Sequence, residues 1–368
     1  MILRDIWSRI KPRMLVFDPS LLTILVMIWA LSLIAMASAA ADFPGRFEGH
    51  VRNMLLCFGL MWLMANVRPS LLQRSAVPIY LIGLALLIAV ALFGEVSKGA
   101  RRWLHIGVTR VQPSEVMKLA MPLMLAWYFQ KREGVLYWYD FTIAAVLLVV
   151  PTLLIARQPD LGTSILVAGA GAYVIYLAGL QWKVILALIG AGLAALPVLW
   201  SVLHDYQRQR VLTLLDPSSD PLGKGFHIIQ STIAVGSGGV WGKGWMQGTQ
   251  THLQFIPERT TDFIFSVFAE EFGLLGACVL LLLYLALIAR GFVIAAGGGT
   301  VFQRLLAGAI SLSFFTYVFV NIGMVTGILP VVGVPLPMMS YGGTAMVTLG
   351  LGLGVLMAIQ NNRKLVQS

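Results

Sequence analysis

The chain has 368 residues, of which 58% are hydrophobic and only 11% charged, against roughly a quarter charged in an ordinary globular domain. That composition excludes a water-soluble domain, and no nucleic-acid partner is expected. Cys57 and Cys278 each sit in an apolar stretch, so no disulfide framework is implied, and the five scattered histidines have no zinc-binding spacing.

About ten apolar stretches suited to crossing a hydrocarbon core recur along the chain, near residues 20–40, 50–66, 76–94, 114–129, 140–156, 161–179, 183–203, 263–289, 303–327 and 342–360. In lipid each must satisfy its own backbone hydrogen bonds, which leaves helices. The expected fold is therefore all-α: a polytopic integral membrane bundle of about ten transmembrane helices, forming one domain over 1–368. The first stretch ends in MASAAAD, similar to a signal-peptidase site, but its apolar run is longer than a signal sequence needs and more spans follow. It reads as an uncleaved first helix.

Arg4, Arg9, Lys11 and Arg13 precede that helix, and an even number of spans then places both termini in the cytoplasm. In this orientation Lys and Arg divide evenly between the sides. The outer cations gather at 95–113 (Lys98, Arg101, Arg102, Arg110) and 204–262 (Arg208, Arg210, Lys224, Lys243, Arg259), which calls for an anionic ligand outside. Residues 204–262 form the one long polar insertion, an extracytoplasmic loop punctuated by DPSSDPLGKG and GSGGVWGKGWMQGT. Between these, FHIIQSTIAV suits a short helix at the membrane surface. The glycines lack phosphate-loop spacing and read as turns.

Asp262, in PERTTDFIF, stands where a helix N-cap belongs, as do Asp18, Asp140 and Asp160. Capping is the default reading for any one of them; Asp160 and Asp262 differ in falling on the outer side. In QPSEVMK, Glu115 and Lys118 share a helix face near the outer surface, as an ion pair or as part of a site. Arg101 and Arg102 could hold anionic lipid headgroups or clamp a phosphate ester. Glu270 and Glu271 lie deep in the eighth span and are expected to face a polar interior or a partner helix. Residues 328–343, broken by Pro330, Pro335 and Pro337, read as a bent segment at the outer rim, and Gly350 and Gly354 as a close helix contact.

The ordered set RRW (101–103), QPSEVMK (112–118), QPDLGTS (158–164), QRQRV with LLDP (207–217), GKGWMQGTQ (242–250), PERTTDFIFSVFAEEFG (257–273) and PLPMMSYGGT (335–344) resembles the SEDS family. The resemblance covers essentially the whole chain, and is nearer to the cell-elongation, RodA-type branch than to the division, FtsW-type branch. One departure is Thr260, where that branch commonly has histidine.

The resemblance implies a peptidoglycan glycosyltransferase that polymerises lipid II at the outer face of the bacterial cytoplasmic membrane. Its implied partners are an elongation-type class B penicillin-binding protein (PBP2-like), other elongation-complex proteins and membrane lipids. Lipid II carries its activation in a diphosphate, so no nucleotide is needed. Asp262 is the candidate general base; Arg101, Arg102, Lys118 and Arg210 are candidates for holding the departing diphosphate, with Glu115 orienting Lys118 and Asp160 shaping the same cavity. No metal cage is visible and no cofactor is required, though a divalent cation (Mg or Mn) could bridge diphosphate and carboxylates. Two other readings use the same residues. A flippase or transporter for a lipid-linked precursor predicts pseudo-symmetric halves, of which no repeat is visible, and a non-catalytic scaffold predicts tolerance of neutral substitutions at the outer charges.

Overall fold

Among the described residues, ten helices of seventeen residues or more follow the order of the apolar stretches: α1 (Pro19–Ala39), α2 (Arg46–Ala65), α3 (Pro69–Phe93), α4 (Pro113–Lys131), α5 (Trp138–Ala156), α6 (Leu161–Leu177), α7 (Trp182–Val202), and, after the long loop, α10 (Ile264–Ala296), α11 (Val301–Val325) and α12 (Gly343–Gln367). The loop itself holds α8 (Lys224–Ser237) and the single turn α9 (Thr249–His252). The computed structural model describes residues 16–97, 100–106, 109–132, 134–158, 160–202, 208–209, 212–214, 216–219, 224–253, 256 and 258–367. Six helices (α1, α3, α5, α10, α11, α12) are long and apolar enough by themselves to cross a membrane, and α6 and α7 are shorter apolar helices. The other two, α2 and α4, carry charges such as Arg46, Glu48, Arg52, Glu115 and Lys118, which lowers their hydropathy without removing them from the bundle.

The all-helical expectation needs one addition. Between α3 and α4 the chain makes a small antiparallel sheet, β1 (Glu95–Ser97), β2 (Ala100–Ile106) and β3 (Thr109–Val111), in that order. Arg101 pairs across it with Val96, and Glu95 with Trp103.

The bundle's surface is apolar and several of its charges are inside. Leu81, Leu92, Val146, Leu153, Leu282 and Leu285 are more than half exposed, a pattern that water would punish and lipid does not. In contrast Asp18, Lys118, Asp140, Asp160, Arg259, Glu270 and Glu271 are buried, so each needs partners. At one end of the bundle Asp18 caps α1 through Leu21 N and takes a two-pronged bond from Arg290, at 3.0 and 2.6 Å. At the same end Asp140 accepts from Tyr137 N and Tyr128, and pairs with Arg132. Packing pairs α12 with α2, α10 with α1 and α11, α3 with α4, and α6 with α4, α5 and α11. By contrast, no described residue of α7 is buried.

The glycine-rich part of the loop is more than turns. Helix α10 breaks at Gly273, whose φ is +62°. The freed carbonyls of Glu270 and Glu271 accept from Lys243 N and Gly244 N, while Leu274 N and Leu275 N donate to the carbonyls of Gly239 and Val240. A Cβ on Gly242, itself at φ +82°, would overlap the Glu271 carbonyl, so only glycine lets the strands of this joint meet. The loop is thereby stitched into a transmembrane helix, and the Glu270 carboxylate completes the joint by accepting from Lys243 Nζ (2.7 Å), Gln250 N (3.0 Å) and Thr251 N (3.3 Å). Ser38 donates to Glu271. Glu270 thus faces the polar loop, and Glu271 faces α1 as its partner helix, the two alternatives their depth left open. In α12, Gly350 and Gly354 meet α2 at Cys57 and at the carbonyl of Met61, the close helix contact read from their spacing.

Candidate functional site

Because successive helices alternate in direction, the N-termini of α2, α4, α6, α10 and α12 collect at the end of the bundle that also carries the sheet and the long loop. Helix N-termini present unpaired N–H groups and partial positive charge, so this end favours anions.

Asp262 lies here, but it is not a cap. Helix α10 starts at Ile264, with Phe263 in the N-cap position and no side-chain capping bond. The turn before it is held by its main chain. The carbonyls of Thr260, Thr261 and Asp262 accept, in order, from Tyr341 N (2.8 Å), Ser340 Oγ (2.6 Å) and Asn321 Nδ2 (2.8 Å). Asn321, fully buried on α11, spends the other hydrogen of the same amide nitrogen on the Val334 carbonyl at 2.8 Å. The two carbonyls fix the amide's orientation, since an oxygen in that place would face two acceptors. The Asp262 side chain is thereby directed against Gly333: a Cβ built there would be 3.5 Å from Oδ2, and Gly333 itself is at φ +77°. Residues 328–342 are non-helical, with Val334, Leu336, Met338, Met339 and Ser340 buried. They form the cradle for Asp262, so the bent segment has a definite task.

Glu115 and Lys118 pair as their spacing implies, Nζ to Oε1 at 2.6 Å, with both side chains mostly buried. Thr348 of α12 donates to the other Glu115 oxygen at 3.2 Å, and the ammonium sits 5.4 Å from the centre of the Tyr317 ring. Tyr317 and Asn321 are four residues apart on α11, which sets the Lys118 contact and the Asp262 contact one helical turn from each other. Lys118, Ser313, Tyr317 and Thr348 give the polar part of the lining of a small cavity of about 30 Å³, whose remaining walls include Leu119, Leu166, Ile310 and Phe314. The buried Tyr317 hydroxyl there has no hydrogen-bond partner among the described residues.

Asp160 caps α6, accepting from Thr163 N at 3.3 Å and from Gln112 Nε2 at 3.0 Å. Next to it, Arg102 Nε donates to the Gln158 carbonyl at 3.4 Å. A Cβ on Gly162 would come within 2.6 Å of the Val332 carbonyl, so this corner abuts the same cradle that holds Asp262. Asp160 thus supports the wall of the site and is not among the residues lining the cavity. Arg101 has its backbone in β2, while its side chain, and Arg210 altogether, lie outside the described residues.

Two of the supposed anion-seeking cations are already committed. Arg259 is buried, donating to the carbonyls of Ala39 and Thr251 and pairing with Asp42, and Lys243 is paired with Glu270. Their charges hold the loop together. Sequence reasoning passed over Asn321, Ser340, Tyr341, Thr348 and Arg46; the one legible signal was Asn321, a lone amide inside an otherwise apolar span. No group of three or more His, Cys, Asp or Glu able to hold a metal ion occurs among the described residues.

With this geometry, the chain is similar to known proteins along nearly its whole length. It is 51% identical over 364 residues to the peptidoglycan glycosyltransferase MrdB of Escherichia coli K12, covering 99% of this chain and 97% of that protein. Among solved structures, one resembling it is a chain of a peptidoglycan synthase complex that coordinates polymerization and crosslinking (TM-score 0.81, 33% identity, 94% of this chain and 98% of that one). Another is the rod shape determining protein RodA of Thermus thermophilus (TM-score 0.71, 29% identity, 94% and 97%). A model of the FtsW, RodA and SpoVE cell cycle proteins matches residues 13–365, and the chain belongs to that family.

Proposed function

We infer that this multi-pass membrane protein is a peptidoglycan glycosyltransferase of the RodA type, a reading carried by its 51% identity over 364 residues to a protein of that name. The substrate proposed is lipid II, polymerised at the outer face of the bacterial cytoplasmic membrane with both termini in the cytoplasm. The hydroxyl at C4 of the acceptor sugar attacks the anomeric carbon of the donor. The bond from that carbon to the diphosphate oxygen breaks, its electron pair leaves with undecaprenyl diphosphate, and the hydroxyl proton passes to the Asp262 carboxylate. Support for Asp262 as base comes from its turn, whose carbonyls at Thr260, Thr261 and Asp262 are held by three hydrogen bonds from distant elements, and from its place one residue before the N-cap of α10.

Lys118 and Arg102 are proposed to stabilise the departing diphosphate, with Arg101 and Arg210 from the same motifs. Glu115 holds Lys118 in place. A divalent cation, where used, would be carried by the diphosphate. The partner proposed is an elongation-type class B penicillin-binding protein, in line with the synthase complex that the fold matches.

The test is polymerisation of labelled lipid II by the purified protein, alone and with that partner. A general base contributes about a hundredfold to ten-thousandfold, so Asp262→Asn should lose polymer by that factor while still folding and binding the partner. Wild-type rates from that variant would remove Asp262 from the mechanism. Protein-dependent movement of lipid across vesicles with no polymer under any condition would replace the polymerase by a flippase.

A further inference from the structure

Arg46 opens α2 directly beside the Asp262 turn. Its Nη1 donates to Thr260 Oγ1 at 2.7 Å, two residues from Asp262. Its guanidinium lies 4.4 Å from the centre of the Phe43 ring and 5.4 Å from that of Tyr341, whose own amide holds the Thr260 carbonyl. The group is therefore fixed by two rings and one hydrogen bond, yet it is only part-buried. A guanidinium carries five N–H donors, and one of them has a hydrogen-bond partner among the described residues.

The charges around it do not cancel. Phe43 is shared with a second guanidinium, Arg259, at 5.0 Å. Arg259 is matched by Asp42 at 2.5 Å. Arg46 forms an ion pair with no carboxylate among the described residues. Glu48, the acid in the first turn of α2, is exposed to solvent. Two cations thus share one ring, and among the described residues Asp42 forms an ion pair with only one of them, Arg259. Lys243 and Arg259 are each committed to a carboxylate within the loop, which sets Arg46 apart from them.

We propose that Arg46 is a binding residue for the diphosphate of the lipid-linked substrate, holding a phosphate oxygen on the Asp262 side of the site. This rests on the polymerase reading for the identity of the ligand. A planar guanidinium with parallel donors suits phosphate, and its stacking on two rings lowers the entropy lost on binding.

The test separates charge from tethering, using the full chain in lipid nanodiscs. Arg46→Gln removes the charge but can still bond Thr260, whereas Thr260→Val removes the tether and keeps the charge. Binding is measured without turnover, with undecaprenyl diphosphate and undecaprenol as probes. Arg46→Gln should weaken undecaprenyl diphosphate binding tenfold or more and leave undecaprenol binding unchanged; Arg46→Lys should restore part of the loss, and Thr260→Val should keep most of the binding. Equal losses for Arg46→Gln and Thr260→Val, extending to undecaprenol, would show a tether only and overturn the proposal. Unchanged diphosphate binding by Arg46→Gln, or none by the wild type, overturns it as well. If Arg46→Gln does not fold, Arg46→Lys decides, since loss of the fork alone should weaken the diphosphate probe several-fold and an unchanged value refutes the fork. Failure of the polymerase reading registers separately, as wild-type protein that binds the probe and makes no polymer.

Discussion

Asn321 offers the sharpest test of how Asp262 is positioned. Asn321→Leu keeps the branched side-chain skeleton and removes the amide nitrogen that bonds both the Asp262 and Val334 carbonyls at 2.8 Å. The Val334 carbonyl is buried, so leaving it unpaired costs about 1–3 kcal/mol, and the loss at the part-buried Asp262 carbonyl adds about 1 kcal/mol. Removing the buried Asn321 Oδ1, which has no partner among the described residues, returns part of this. The net destabilisation should be about 2–3 kcal/mol. The catalytic loss should be larger than stability explains, because a misplacement of about 1 Å can cost roughly a hundredfold. A control reaches the same helix from α6: Tyr173→Phe deletes the 2.6 Å bond between Tyr173 and Thr316 of α11, which should cost about 1 kcal/mol and leave polymerisation near wild type. Thermal melts in detergent and lipid II polymerisation, run on both variants, make the comparison. A folded Asn321→Leu protein with wild-type kinetics would refute the claim that this amide holds the base in place.

Lys118→Met strips the partner from a mostly buried Glu115, which should destabilise the protein by about 3–5 kcal/mol. Adding Glu115→Gln should recover most of the melting temperature but not the activity, and a fully active double variant would show that Lys118 serves packing alone. Gly242→Ala forces a Cβ against the Glu271 carbonyl and should free the 238–246 stretch, read as faster amide exchange at Leu274 and Leu275; Gly236→Ala, whose Cβ would meet nothing within 4 Å, should not. If a divalent cation enters with the diphosphate, calorimetry should find no tight magnesium site on the substrate-free protein, while chelation slows polymerisation and added magnesium restores it.

How much of this could be read from the sequence follows from the range of each interaction. Spans were legible because hydropathy over about twenty residues is a local signal. So were the Glu115–Lys118 pair and the Gly350–Gly354 contact, which depend on helical spacing. The sheet at 95–111 was missed because three short strands rich in charge show no clean alternation. The cradle escaped for a different reason: Asn321, Ser340 and Tyr341 act on carbonyls 59 to 81 positions away, and Arg46 on a hydroxyl 214 positions away. Neither contact has a local pattern. The GSGGVWGKG run and Gly273 were each visible, but nothing in one indicates that it fits against the other.

The same distinction explains why Asp262 looked like a cap. Asp18 and Asp160 accept the expected first-turn amides, and Asp140 accepts Tyr137 N from inside the first turn of α5, so for those three the local pattern was sufficient. Each also has its charge or remaining lone pairs engaged, Asp18 by Arg290, Asp140 by Arg132 and Tyr128, and Asp160 by Gln112. Asp262 stands one residue too early to cap α10, and its turn is held by partners on α11 and the segment before α12. Asp262 is therefore positioned by distant elements acting on the backbone of its turn, and not by the end of its own helix. That separation of holding from reacting is what a general base needs. It also predicts that substitutions in the cradle will act on rate through position, and substitution of Asp262 itself through chemistry.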